Sequence, residues 1–349
     1  MIASSRFPIS EPFAGGLEAH THALVSALRR RGHQVALFAA PGSDPRLGAE
    51  LLDVPTLQLS DDARRDISNP PEWLMREHHA YLGLMLELAR RDGTFDVVHN
   101  NSLHYLPVAM ARSLSVPVVT TLHTPPLPWL ESAVALSRDN CHFVAVSEAM
   151  RRSWAPVAPA HVIHNGVDPD IWTYGAGGPR AVWAGRLVPE KAPHEAVRAA
   201  LLAGLSIDLV GPVGDRAYVD TQVLPLLGPR VRHLGHLSQA EVRLVVARAA
   251  VAVVSPAWPE PFGLVAAEAV MTGTPVAAYA RGALPEIISP EIGRLAEPGD
   301  VVDLARAIRA AASLDREVVH AQAHRRFSLD TMVDAYEQVY VELARSRAA

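Results

Sequence analysis

Short apolar runs and longer amphipathic stretches alternate along almost the whole chain. Runs at 34–39, 97–99, 116–122, 143–146 and 161–164 have the length and β-branched content of buried strands. Between them, stretches such as 18–31 and 71–91 place apolar residues at helical spacing. Alternation of this kind predicts parallel strands joined by crossover helices. The glycine cluster Gly175-Ala-Gly-Gly-Pro179 reads as a linker. The pattern then restarts, predicting strands at 181–184, 207–210, 231–234, 251–254, 275–278 and 293–295 and helices at 193–202, 238–248, 264–272 and 301–312. The expected fold is α/β, two Rossmann-like doubly wound parallel-sheet domains facing each other across a cleft. Ligands of such sheets bind beyond the carboxyl ends of the strands.

The two ends depart from this regularity. Only Met1, Ile2 and Ala3 precede the polar Ser4, Ser5 and Arg6, whereas a strand usually runs about five or six residues. A shortened first strand is expected, or a start assigned inside it. The stretch 328–345 lies outside either alternation, and its Met332, Val333, Tyr336, Val339, Tyr340 and Leu343 form a helical stripe that needs a partner. It is expected to return to the first domain, which then comprises 1–170 joined by 328–349, the second spanning 175–327.

A chain of 349 residues with 49% hydrophobic and 20% charged residues fits a two-domain globular protein. The net charge of -5 argues against a nucleic-acid partner. No stretch reaches the roughly 18 apolar residues of a spanning helix, the start does not read as a signal peptide, and nothing argues for more than a peripheral membrane contact. The single cysteine, Cys141, excludes an internal disulfide and reads as packing. A cytoplasmic protein is expected.

Candidate chemistry gathers in the second half. Among 32 basic residues the only lysine is Lys191, five positions after Arg186. In a chain that otherwise uses arginine throughout, one lysine points to a compact, rotatable ammonium such as a phosphate oxygen can engage. The segment Pro256-Ala-Trp-Pro-Glu-Pro-Phe-Gly-Leu264 follows a buried run and delays helix formation until about Leu264. The amides of Phe262, Gly263 and Leu264 would then face an anion at a helix N-terminus. Glu260 and Glu268 are separated along that ligand, as carboxylates that accept from sugar hydroxyls would be.

This arrangement closely resembles the Glu-x7-Glu motif of the retaining glycosyltransferases of family 4, and the resemblance spans nearly the whole chain. Gly15-Gly16-Leu17-Glu18 is similar to the family's glycine loop, Thr121-Leu-His-Thr-Pro125 to its strand-end histidine, Asn165-Gly-Val-Asp168 to its interdomain turn, and Gly185-Arg186 with Lys191 to its phosphate clamp. The resemblance implies a two-domain GT-B transferase of the hexosyl-transferring type, moving a sugar from a nucleoside diphosphate to an acceptor hydroxyl with retention. No metal and no cofactor are implied beyond the donor as co-substrate; the acceptor is a glycan, a lipid or a small molecule. It assigns Arg186, Lys191 and the Phe262 to Leu264 amides to the diphosphate, Glu260 to the transferred sugar, Glu268 to the ribose, and His123 to the donor sugar near the reacting centre. Gly16 would let the loop approach the diphosphate. Gly211, in the segment 211–214, and His236 and Leu237 would line the nucleotide, while Gly15, His99 and Asn101 would lie on the acceptor side. Asn101 stands where many relatives carry a second histidine. Alternatives on the same scaffold are a nucleotide-sugar epimerase or hydrolase and a non-catalytic nucleotide-sugar binding subunit.

Other constellations read as structural. His20 and His22, two apart on a helix, face different ways and make a poor metal site. Asp168-Pro-Asp170 belongs to the interdomain turn, the Gly15-Gly16 loop lacks the dinucleotide spacing, and Arg29-Arg-Arg31 reads as a helix C-terminus complementing its dipole before Gly32.

Overall fold

The structure is a computed structural model that describes residues 1–68, 70–91, 93–137 and 140–348. Six strands build the first half: β1 Ala36–Phe38, β2 Glu50–Leu52, β3 Val98–Asn100, β4 Val118–Leu122, β5 Cys141–Ala145 and β6 His161–Val162. β3 to β6 pair in chain order, and β1 pairs with β2. Residues 1–3 join the two groups. Ile2 bridges Phe38 on one side and Asn100 on the other, with the Ile2 amide on His99 O and the Asn101 amide on Ile2 O, both at 2.8 Å. The short first strand thus occupies the centre of the sheet, where Ile2 is 2% exposed.

Six more strands form the second sheet: β7 Arg180–Ala184, β8 Ser206–Val210, β9 Val231–His233, β10 Ala249–Val254, β11 Val276–Tyr279 and β12 Gly293–Ala296. Their order is β12-β11-β10-β7-β8-β9, and every pairing is parallel. The order reverses at β7, so a crevice opens beyond the carboxyl ends of β7 and β10. The loops after these two strands carry Arg186 and Glu260.

The closing helix, Leu329–Ala348, lies against the first domain. Leu329, Met332, Val333 and Tyr336 pack with Leu24, Leu28, Val119 and Ile163, and Val339, Tyr340 and Leu343 extend the contact. Arg31 pairs with Asp330, Asp334 and Glu337 of the same helix, so the end of the Arg29–Arg31 run ties the closing helix down rather than only complementing a dipole. The two passages between domains are also bonded to each other: the Val167 amide donates to Phe327 O at 2.7 Å and the Leu329 amide to Val167 O at 2.9 Å. A Cβ on Gly166 would lie 2.7 Å from Leu329 Cα, so only glycine permits that approach.

A second tie sits behind the cleft. Ser147 Oγ donates to Pro261 O at 2.6 Å, and the Glu286 carboxylate accepts from the Glu148 and Ala149 amides and pairs with His164 at 2.6 Å. A carboxylate from one domain therefore caps a helix N-terminus of the other. Among the described residues no helix is long and apolar enough to cross a membrane.

Candidate active site

Between the domains lies a cavity of about 970 Å³, lined by the glycine loop and His123 on one side and by Arg186, Lys191 and 254–265 on the other. Two helices begin at it. Gly15 precedes the Gly16–Arg30 helix, and Gly263, in the left-handed region at φ 89, precedes the Leu264–Met271 helix. They face each other: a Cβ on Gly16 would stand 3.7 Å from Leu264 Cδ2. Among the described residues the amides of Phe262, Gly263, Leu264 and Val265 have no hydrogen-bond acceptor, so the positive ends of two helix dipoles converge on one space.

The cations of this space are placed by loop geometry. The turn Pro189–Lys191 ends at Ala192, itself left-handed at φ 44, and Ser255 Oγ donates to Ala192 O at 3.0 Å while the Ala257 amide donates to Glu190 O at 2.8 Å. These bonds lace the Lys191 turn to the loop after β10. Lys191 Nζ sits 2.6 Å from Glu260 Oε2 and 5.3 Å from the centre of the Trp258 ring. Arg186 lines the cavity, exposed, with no hydrogen bond or ion pair among the described residues. Glu260, only 8% exposed, is fixed by its backbone: its carbonyl accepts from the Ala283 amide, and a Cβ on Gly282 would stand 2.2 Å from that oxygen.

His123 enters from the end of β4. Its Nε2 bonds Asn101 Oδ1 at 2.9 Å, and a carbonyl oxygen can only accept, so the proton is on Nε2 and Nδ1 keeps a lone pair. Burial, with His20 and His99 adding like-charge repulsion, pushes the His123 pKa well below the usual histidine range. The ring is neutral.

Several expected residues lie elsewhere. His99 is 2% exposed and bonds Tyr340 and Thr121 at 2.6 and 2.8 Å, behind the wall of the cleft. Asn101 is fully buried and holds His123, so neither residue presents an acceptor surface, whereas Gly15 does line the cavity. Gly211 packs backbone to backbone on Gly185, where a Cβ would stand 1.9 Å from Gly185 O, and it is Pro212 to Gly214 that line the cavity. Leu237 packs into the core of the second domain. His236 lines the cavity and bonds Phe13 O across it at 3.1 Å. Glu268 lies about a turn inside the Leu264–Met271 helix, beyond the residues lining the cavity, with burial raising its pKa to about 8.

Glu18 was missed. It is 5% exposed and lines the cavity, its pKa raised by burial against the opposing pull of its own and Gly15's amides and the Arg186 charge. A carboxylate two residues after a glycine pair, in a helix's first turn, is the signal that could have found it. His20 and His22 do point apart: His20 packs 5.0 Å from His123, while His22 reaches Asp44 at 3.4 Å. Cys141 is held inert by burial, which pushes its thiol up to about 12.

The buried histidines carry a pH prediction. His20 has both ring nitrogens buried without partners among the described residues, and burial lowers its pKa to about 4; burial also holds His99 and His123 well below the usual histidine range. The unfolded chain, with histidine near 6.5, binds more protons, so their stabilisation is complete above about pH 6.5 and is lost as pH falls toward 4. Melting temperature should drop across that window, and His20→Leu should make the drop shallower; an unchanged slope would place the acid sensitivity elsewhere.

Paired parallel-sheet α/β domains with a cavity between them, entered by two helix N-termini, have the GT-B architecture. Residues 14–171 match the family described as Glycosyltransferase Family 4, and residues 174–326 match Glycosyl transferases group 1. The chain is 28% identical to a glycogen synthase of Mycobacterium tuberculosis, over 95% of its own length and 92% of the relative's. It is 30% identical to the D-inositol 3-phosphate glycosyltransferase of Mycolicibacterium smegmatis, over 94% and 87%. Among solved structures, AviGT4, a glycosyltransferase of avilamycin A biosynthesis, superimposes with a TM-score of 0.74 at 23% identity over 99% of this chain and 98% of that one. Anabaena HepE, solved with UDP-glucose, gives 0.74 at 19% identity over 98% and 99%. The chain belongs to the family 4 glycosyltransferases.

Proposed function

We propose that the enzyme transfers a sugar from a nucleoside diphosphate sugar to an acceptor hydroxyl with retention of anomeric configuration and without a metal ion. The observation that carries this reading is the convergence of Arg186, Lys191 and two helix N-termini on one cavity. Such a concentration of fixed positive charge suits a group that gains negative charge as it leaves. HepE, solved with UDP-glucose, supports a UDP-sugar as the first donor to try.

In this scheme the departing diphosphate takes its hydrogen bonds from the Phe262 to Val265 amides, Arg186 and Lys191. Lys191 has three donors, so it can keep Glu260 while reaching a phosphate oxygen. Glu260 accepts from hydroxyls of the transferred sugar, and Nδ1 of neutral His123 accepts another. Protein cations do the neutralising that a divalent ion would otherwise do. Domain closure over the cavity would exclude water and bring the acceptor to the donor's anomeric carbon.

Proton NMR of the first-formed product from an α-linked donor tests the stereochemistry: an α-linked product is expected, and a β-linked one would replace retention by inversion. The same assay in excess chelator should run at full rate. Loss of transfer that magnesium or manganese restores would overturn the metal-free reading.

A further inference from the structure

The acceptor-side wall holds a feature that the donor chemistry does not use. On the Glu72–Arg90 helix, Trp73, Glu77 and Tyr81 fall at four-residue intervals and so share one face. Trp73 is 56% exposed, and Tyr81 is buried and lines the cavity. A second line of rings leads to Tyr81 from another helix. Trp129, 68% exposed, stacks on Tyr105 at 5.6 Å, Tyr105 on His104 at 4.7 Å, and His104 on Tyr81 at 4.2 Å. His78 Nδ1 bonds the Tyr105 hydroxyl at 2.9 Å and ties the two lines together. Arg6 lies 5.3 Å over the Trp73 ring, and Arg6, Glu77, Tyr81 and His104 all line the cavity that contains His123.

Exposed tryptophans in contact, directly or through stacked rings, with the cavity-lining Arg6 and His104, and with Glu77 on the same wall, suit a ligand that alternates apolar C–H faces with hydroxyls. Aromatic faces take the former, and Glu77 and Arg6 take the latter. The charges bear on sign. Within the first domain the wall carries two carboxylates, Glu18 and Glu77, and one arginine, Arg6; burial raises the Glu77 pKa and the Arg6 charge opposes that only in part. An anionic acceptor would find more repulsion than attraction here. A lipid tail would want a continuous apolar face, which Glu77 and Arg6 interrupt.

We infer that the surface leading from Trp129 through Tyr105 and His104 to Tyr81, with Trp73 and Arg6 on the neighbouring helix face and loop, is an outer acceptor subsite that grips a neutral oligosaccharide, whose terminal ring reaches past Tyr81 and His104 toward the reaction centre. The inference rests on the transferase reading above and names its acceptor class. Trp129 lies two ring contacts outward from His104, so a ligand long enough to reach its exposed ring should be held more tightly than a single sugar.

Calorimetric titration of the full chain tests this with maltohexaose, cellohexaose and an α-1,6-mannohexaose, against methyl α-glucoside, myo-inositol 1-phosphate and a hyaluronan hexasaccharide. At least one neutral hexasaccharide should bind, with the monosaccharide and both anionic probes at least about tenfold weaker. Trp129→Ala and Trp73→Ala should each weaken that binding by about tenfold, and Trp129→Tyr should keep most of it. Circular dichroism melting of each variant checks that it is folded. No binding of any neutral hexasaccharide, tighter binding of an anionic probe, or wild-type affinity in both alanine variants would overturn the subsite. Titration of the wild type with nucleoside diphosphates alongside keeps the two readings separable, since failure there removes the donor site and leaves the oligosaccharide result standing or falling by itself.

Discussion

Lys191→Ala should lower donor affinity by on the order of 1.5–3 kcal/mol, the value of a charge-assisted hydrogen bond, and slow transfer by about 10²–10³-fold if its ammonium also stabilises the leaving diphosphate. The argument rests on position. Lys191 is held by the Pro189–Lys191 turn, 2.6 Å from Glu260 and beside Trp258, in the same cavity as Arg186. Removing it takes away one of the two cations that the second domain brings to the cavity and leaves the nearly buried Glu260 carboxylate unpaired and repelling phosphate. Lys191→Arg restores charge but not shape, because a larger planar fork must fit a space that holds a compact ammonium 2.6 Å from Glu260 and beside Trp258. It should recover affinity only in part. Initial-rate kinetics with a nucleotide sugar checks both variants, and wild-type kinetics in the alanine variant would remove Lys191 from the site.

Tyr336→Ala should destabilise the protein by about 3–5 kcal/mol, the range for deleting a fully buried aromatic ring. Tyr336 is 0% exposed, packs with Leu24, Leu28 and Val119, and hydrogen-bonds Thr121 at 3.0 Å. Thr121 stands two residues before His123 on the strand that delivers that histidine. The ring therefore ties the closing helix to the site wall as well as to the core. Urea unfolding followed by circular dichroism measures the loss; a change below about 1 kcal/mol, the scale of an ordinary substitution, would mean that the helix is only loosely docked.

The alternation of runs was enough to read nearly every strand because the longer ones, such as β7, β10 and β11, are largely buried on both faces and appear as near-continuous apolar words. β2, Glu50–Leu52, was not read: its residues are largely exposed, and three residues hold too little periodicity. The Arg316–Phe327 helix was not read either, since its histidines and arginines leave only Val319, Ala323 and Phe327 as its buried face. At the site, motif positions on loops and helix starts fell at the cavity, because glycine and proline dictate where those backbones turn. The differences came at a strand end. His99 lies within β3 and Asn101 just past it, and the register of that strand, which decides which side chain meets the cleft and which supports it from behind, is carried by no local pattern. Gly211 shows the same limit, since its need for glycine arises from Gly185, a residue distant in the chain.

The central claim is that cations and helix N-termini of this protein hold a diphosphate without a metal. Calorimetric titration of the wild type in excess chelator with UDP, GDP and ADP, each against its own nucleoside, tests it most directly. One diphosphate should bind at least about 100-fold more tightly than its nucleoside, a difference of about 2.7 kcal/mol, and Arg186→Ala should remove most of that difference. Equal affinity for nucleoside and diphosphate, or diphosphate binding that appears only when magnesium is returned, would contradict the claim.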